Sequence, residues 1–264
     1  MANYLEQLRK EKRIYLKTLY DDIKARRDKD FFRPTGTQIY VGPQGSGKTI
    51  SAVKHTRQIK NQYPRAILVS NLSLKGMTAL HFSDKESLTA ALSQMNPLEQ
   101  YISFRDIDQL ALALVQFNNK TFGVLYLIDE IHLYFNALES KNIPMYVFTE
   151  ISQQRKQRKL IIGTSQLFLR AAKPLREQCD NVIVCKTFLG VLTLQLAYDG
   201  MSLDQDYSGK LTGNLKRRGW FVHTRELRDC YDTFQKVVSG ADQYENFQRV
   251  EVSLTSKKNK ITLK

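Results

Sequence analysis

Apolar and polar positions along the chain follow two rhythms. Short runs rich in apolar and β-branched residues at Thr37 to Val41, Ala66 to Ser70, Tyr101 to Phe104, Val124 to Ile128 and Leu160 to Thr164 predict strands. The last two are apolar almost throughout, as expected of strands covered on both faces. Between them, helical spacing predicts helices over Lys48 to Gln62, Lys85 to Met95, Asp106 to Phe117 and Met145 to Gln157. Strand and helix alternate, which predicts the α/β class with a mostly parallel sheet flanked by helices.

The two ends read differently. From Tyr4 to Arg27, Leu5, Leu8, Tyr15, Leu16, Leu19 and Ile23 fall on one face of a helix that Pro34 and Gly36 end. That stripe can pack on the domain's own flank or face a neighbouring subunit or DNA. Beyond Asn181, Val182 to Lys186 and Val191 to Tyr198 read as strands, and Gly200 to Gly219 as a polar, basic loop region. Thr255 to Lys264 reads as a mobile basic tail. The expected division is a basic N-terminal helical segment at 1–33, a core domain at 34–238 and a C-terminal extension at 239–264.

Composition narrows the function classes. The chain has 264 residues, 42% hydrophobic and 25% charged, which suits a folded globular protein. No apolar run reaches the roughly 20 residues of a membrane span, and Met1 to Lys29 lacks the apolar centre of a signal peptide. A cytoplasmic location is expected, that of a host if the protein is viral. Cys179, Cys185 and Cys230 show no CxxC spacing and read as reduced structural residues. The formal charge of +14 points to a polyanion or an acidic lipid surface as partner.

The chemistry sits in three places. Gly42-Pro43-Gln44-Gly45-Ser46-Gly47-Lys48-Thr49 fits the G-x-x-x-x-G-K-[ST] loop between a strand and a helix. Its small residues let backbone N–H groups turn onto phosphates while the next helix directs its positive end at the anion. Lys48 is expected to pair with the β and γ phosphates of ATP, and Thr49 to offer its hydroxyl to Mg²⁺. Asp129 ends an apolar strand at the edge where such folds bind ligands and is expected to hold Mg²⁺ through water; Glu130 would orient the attacking water. The third place is Gln153 to Lys159, leading into Leu160 to Gln166 and Lys173-Pro174-Leu175-Arg176, with no acidic residue between Ile151 and Arg176. Gln166 at a strand end can sense the γ-phosphate, and Arg155 or Arg176 can stabilise transition-state charge when supplied by a neighbouring subunit. Arg158 reads equally as a solvated basic residue. Lys156, Arg158, Lys159 and Lys216-Arg217-Arg218 are candidate phosphate-backbone contacts or solvated faces.

Together the phosphate loop, Asp129-Glu130 with His132 and Phe135, the Arg155 segment, Thr164-Ser165-Gln166 and Leu175-Arg176 resemble the FtsK/HerA superfamily of ATPases. Within it they are similar to Zot-like proteins and small phage genome-packaging ATPases. Cys230-Tyr231-Asp232-Thr233-Phe234 resembles the segment that closes Zot-type ATPase domains. The resemblance spans roughly Gln38 to Phe234 and implies a RecA-like core, a homo-oligomeric ring, and ATP hydrolysis coupled to moving nucleic acid or assembling a virion. Zot-like proteins typically continue into a transmembrane anchor; none is read here, which favours a soluble packaging motor.

The leading expectation is an Mg²⁺-dependent ATPase that translocates DNA in genome packaging, with a portal, capsid or membrane assembly protein as further partner. Its alternatives are a virion-assembly ATPase acting with a separate membrane partner and a nucleotide-gated DNA-binding scaffold. Glu130 beside Asp129 argues against the scaffold, since a switch needs no water-activating carboxylate.

Overall fold

A computed structural model describes residues 31–205 and 211–232, together with Lys12, residues 15–20 and Ile23. Its elements in chain order are β1 (Gly36–Val41), α1 (Lys48–Gln62), β2 (Ile67–Ser70), β3 (Thr78–His81), α2 (Lys85–Gln94), β4 (Gln100–Ser103), α3 (Ile107–Gln116), β5 (Val124–Ile128), α4 (Met145–Ser152) and β6 (Lys159–Ser165). They continue with α5 (Lys173–Glu177), β7 (Cys179–Phe188), β8 (Leu192–Asp199), β9 (Asp204–Gln205), β10 (Leu211–Thr212), β11 (Leu215–Val222) and α6 (Arg225–Arg228).

Among the described residues, nine strands form one sheet in the order β11-β8-β7-β1-β6-β5-β2-β4-β3. The seven strands from β7 to β3 run parallel; β8 and β11 are added antiparallel at one edge. β6 therefore lies between β1 and β5. Val41 pairs with Ser165 and Ile128 with Gly163, so the chain leaves all three strands at nearly one level of the same edge. This is the RecA-like α/β arrangement with a mostly parallel sheet.

Both faces of the sheet are covered, which explains why β5 and β6 carry no solvent-facing polar position. Alternate residues feed two cores: Val124, Tyr126, Ile128 and Ile161 on the face of α3 and α4, and Leu125, Leu127, Leu160 and Ile162 on the face of α1. The helices begin where caps are supplied. Asp106 accepts from the Gln109 amide at the start of α3, and Asp84 and Ser87 form a reciprocal box at α2.

Phe32, assigned from the sequence to the N-terminal segment, is fully buried in the core. It packs on Gly123, whose φ is 71° and where a Cβ would stand 2.2 Å from the Phe32 ring, so both the backbone and the space require glycine. The described N-terminal residues are helical, as expected. Tyr15, Leu16, Leu19, Tyr20 and Ile23 nevertheless stay exposed, so in them the apolar stripe is not packed on the domain's flank. The rest of that segment and the C-terminal basic tail lie outside the described residues.

The structure differs from these expectations in four places. The helix from Met145 stops at Ser152, because buried Gln154 accepts from the Thr37 hydroxyl at 2.9 Å and draws the chain inward before β6. The last part of the stretch read as basic loop, Gly200 to Gly219, opens the strand Leu215–Val222, paired with β8 along its length; Lys216, Arg217 and Arg218 hide its alternation because an edge strand tolerates charge. The short strand β3 went unread. Lys159 is buried, with its ammonium donating to the Leu114 carbonyl and 3.4 Å from the Glu150 carboxylate, so it is no surface cation.

Candidate nucleotide site

The turn from β1 to α1 wraps the first turn of the helix. Gly47 caps α1 at φ 85°, and behind it a Cβ would meet the Thr187 hydroxyl at 2.4 Å and that of Thr193 at 2.5 Å, which again leaves only glycine. Those hydroxyls belong to the β7–β8 hairpin. They form a chain, Thr187 to Thr193 at 2.7 Å and Thr193 to His223 Nε2 at 2.6 Å, that supports the loop from below. Lys48 is largely buried, its ammonium donating to the Pro43 carbonyl at 3.1 Å across the mouth of the loop.

Asp129 leaves β5 opposite this loop. Its Oδ1 accepts from the Thr49 hydroxyl at 2.9 Å and from the Thr164 hydroxyl at 2.7 Å. Its backbone is held by Asn71, which accepts the Asp129 amide at 2.8 Å and donates to the Asp129 carbonyl at 2.9 Å. Burial raises the carboxyl's pKa, opposed by these two hydroxyls and by the Lys48 charge.

Glu130 has φ 49° and ψ 52°, a left-handed conformation that costs energy in a residue other than glycine and is held here by Thr164, whose hydroxyl accepts the Glu130 amide at 2.9 Å. Its Oε2 is buried without a hydrogen-bond partner, His132 Nδ1 lying 3.3 Å away in a geometry that makes no hydrogen bond. Burial, and then the neighbouring Asp129, raise the Glu130 pKa, while Lys48 and Arg170 pull it back. His132 moves the other way, lowered by burial, Arg170 and Lys48, which favours its neutral form.

The third group of expected residues is divided. Gln166 follows β6 and accepts from Arg170 Nη1 at 3.1 Å; Arg170, not singled out from the sequence, is near enough for its charge to act on Glu130. Arg176 in α5 places its guanidinium 5.9 Å from the ring of Phe168, within the turn that carries Arg170, and its buried Nε has no hydrogen-bond partner. It lies behind that turn and not at the phosphate loop. Arg155 is exposed before β6, at the opposite edge of the sheet from Ser165; at about 3.3 Å per residue the seven-residue strand separates it from the loop by roughly 20 Å. Arg158 is engaged with the Phe31 ring, 3.5 Å away, and the Phe32 carbonyl.

A cleft of about 700 Å³ runs from Lys48, Thr49, Asp129 and Glu130 to His223, Arg228, Tyr231 and Asp232. The first four were legible as motifs, and Tyr231 and Asp232 as part of the closing segment; Asn71, Arg170, His223 and Arg228 were not. Among the described residues no group of three or more His, Cys, Asp or Glu side chains could hold a metal ion. The Thr49 hydroxyl and Asp129 carboxylate are nonetheless a pair of hard oxygens suited to Mg²⁺, which takes few protein ligands and completes its shell with water and phosphate. The three cysteines are free, as expected.

Residues 36–198 match the family described as zonular occludens toxin (Zot). No curated protein matches the chain. Among solved structures, the genome packaging NTPase B204 from Sulfolobus turreted icosahedral virus 2, in complex with ATP-gammaS, is 14% identical, with 68% of this chain and 96% of that chain covered and a TM-score of 0.48. The N-terminal domain of zonular occludens toxin from Neisseria meningitidis is 13% identical over 76% of this chain and all of its own, with a TM-score of 0.46. B204, the DNA-packaging ATPase from Sulfolobus turreted icosahedral virus, is 13% identical over 68% of this chain and 96% of its own, with a TM-score of 0.46.

Proposed function

The chain belongs to the Zot family, and from that premise we propose that it is an Mg²⁺-dependent ATPase that uses hydrolysis to move DNA in packaging a viral or mobile-element genome. The observation that carries the hydrolase reading is the 2.9 Å bond between the Thr49 hydroxyl and the Asp129 carboxylate, with Thr164 joining Asp129 to Glu130. It ties the phosphate loop to the carboxylate pair that a metal-assisted phosphoryl transfer requires.

In this reading Lys48 and the N-terminal end of α1 neutralise the β and γ phosphates. Mg²⁺, when bound by Thr49 and Asp129, supplies charge to the same oxygens. Glu130 takes a proton from water as the water oxygen attacks the γ-phosphorus; the bond to the β–γ bridging oxygen breaks, and ADP and phosphate leave. The raised pKa of Glu130 suits it to that task, because a stronger base accepts the proton more readily. Gln166, joined to Arg170 by their 3.1 Å bond, is the group assigned to sensing the γ-phosphate. Arg155, exposed and remote from its own loop, is offered to the site of a neighbour in a ring, with Arg176 as the second candidate.

The DNA part rests on the +14 charge and on exposed Arg155, Lys156, Arg217 and Arg218, which suit sequence-indifferent contact with phosphates. A cytoplasmic site of action and a portal or capsid partner complete this reading. Family membership also favours a second one, a virion-assembly ATPase working with a separate membrane protein; no helix among the described residues is long and apolar enough to cross a membrane. ATPase assays with and without duplex DNA separate the two. Stimulation by DNA supports the motor, whereas turnover indifferent to DNA turns the reading to assembly.

A further inference from the structure

The cleft continues beyond the space needed for phosphates. Its far wall is a strap of chain that leaves β11, crosses the outer face of α1 through the Arg57–Glu226 ion pair at 2.8 Å, and returns beside β2, where Tyr231 bridges to Leu74. The Asp232 amide donates to the Ser73 carbonyl at 3.2 Å and the Lys75 amide to the Cys230 carbonyl at 2.8 Å, so the returning end of the strap is fastened to the segment after β2. This strap lies beyond the segment that matches the family.

We propose that this strap is the nucleoside subsite: the phosphate loop holds the phosphates, and Arg228, Tyr231 and Asp232, with His223, hold the base and ribose. The inference rests on the nucleotide reading above. The chemistry of the side chains changes within one cleft. At the near end stand Lys48 and a helix N-terminus, which attract phosphate. At the far end Asp232 adds a negative charge that repels phosphate and suits hydroxyl donors, while Tyr231, buried but for its cleft edge, supplies an aromatic side chain. Arg228 adds a planar guanidinium fit to stack on or hydrogen-bond a base; it already donates to the Gly190 carbonyl of the β7–β8 hairpin. His223 links the two ends, since it bonds Thr193, whose hydroxyl lies behind Gly47. The nucleoside end and the phosphate end are thus joined by side chains as well as by space.

Arg228 and Asp232 are exposed, so changing them leaves the core intact, and changing both leaves the net charge unaltered. Equilibrium binding of Mg·ATP and of Mg·tripolyphosphate to the parent and to the Arg228→Ala/Asp232→Ala variant, with thermal melting as a check on folding, tests the proposal. The parent is expected to prefer ATP by about tenfold or more, and the variant to lose that preference while binding tripolyphosphate as the parent does. A variant that keeps the parent's ratio overturns the nucleoside subsite and leaves the phosphate site standing. A parent that binds neither ligand overturns the nucleotide reading and this proposal with it.

Discussion

The Thr164 hydroxyl donates to the Asp129 carboxylate at 2.7 Å, from the strand inserted between the phosphate-loop strand and the carboxylate strand. The same oxygen accepts the amide of Glu130, whose left-handed backbone it helps to hold. One buried side chain thus sets both the metal-side carboxylate and the base. Thr164→Val keeps the shape and removes both bonds. It is expected to cost about 1–3 kcal/mol of stability, because a buried donor and acceptor lose their partner, and to lower kcat by about tenfold or more while the KM for ATP changes little. Parallel melting curves and steady-state kinetics check this; unchanged kcat would leave Thr164 with a packing role only.

Lys48→Ala is expected to abolish ATPase activity, since it removes the cation on the β and γ phosphates. Its ammonium bonds only a carbonyl of its own loop, so the fold should remain. Glu130→Gln keeps the Asp129 site and loses the base, so it should bind ATP like the parent and turn over about a hundredfold more slowly. Weak ATP binding by that variant would instead place Glu130 among the metal-holding groups.

The pH profile should carry the mark of Glu130. Burial and the Asp129 charge raise its pKa, so the acid limb of kcat should lie above the ordinary glutamate range: as pH falls through that raised value the base is protonated and activity is lost. Arg170 favours the ionised carboxylate, so Arg170→Ala should move the limb to still higher pH. A limb that stays in place would separate Arg170 from the base. The same shift acts on stability with the opposite sense to a salt-bridged acid. A carboxyl whose folded pKa is raised stabilises the fold below its unfolded pKa, and that contribution is lost as pH rises through the folded value. Glu130→Gln should therefore melt higher than the parent at neutral pH.

The residues that sequence reading found and missed differ in how far apart their partners lie. Lys48, Thr49, Asp129 and Glu130 are local signals, small residues before a helix and acids at the end of an apolar run, and the sheet brings them to one edge by register. Asn71 holds Asp129 from 58 residues away, and His223 reaches Thr193 across 30; nothing in either neighbourhood marks them. Arg170 follows Gln166 by a single turn, but its place beside Glu130 depends on the bend after β6. β11 was hidden by its own charges, because an edge strand needs apolar residues on one face only.

A shared site predicts complementation. Arg155 cannot reach its own phosphate loop across the length of β6, so if it stabilises transition-state charge it does so in a neighbour. Mixing Arg155→Ala with Lys48→Ala subunits should then restore part of the hydrolysis that neither gives alone, through junctions that pair an intact loop with an intact arginine. With mixed assembly verified, absence of recovery at every ratio rules Arg155 out, and the same experiment with Arg176→Ala tests the second candidate.

The last prediction separates the three cations of β11. Lys216 is committed to the sheet, its ammonium 2.9 Å from the Asp199 carboxylate and within 3.4 Å of the Asp180 carbonyl and the Asn181 side chain. Arg217 and Arg218 are exposed on the outermost strand beside exposed Trp220, an arrangement that can meet a phosphate backbone and stack on an unpaired base. Arg217→Ala/Arg218→Ala should therefore weaken DNA binding at every sequence tested, reduce the slope of log K against log salt by about one to two, and lower DNA-stimulated turnover while basal hydrolysis is kept. Lys216→Ala should change the slope less than the pair does, because Lys216 already neutralises a carboxylate. Equal slopes for parent and double variant would take this edge out of the DNA path and leave Arg155 and Lys156, at the amino end of β6, as the remaining basic surface to test.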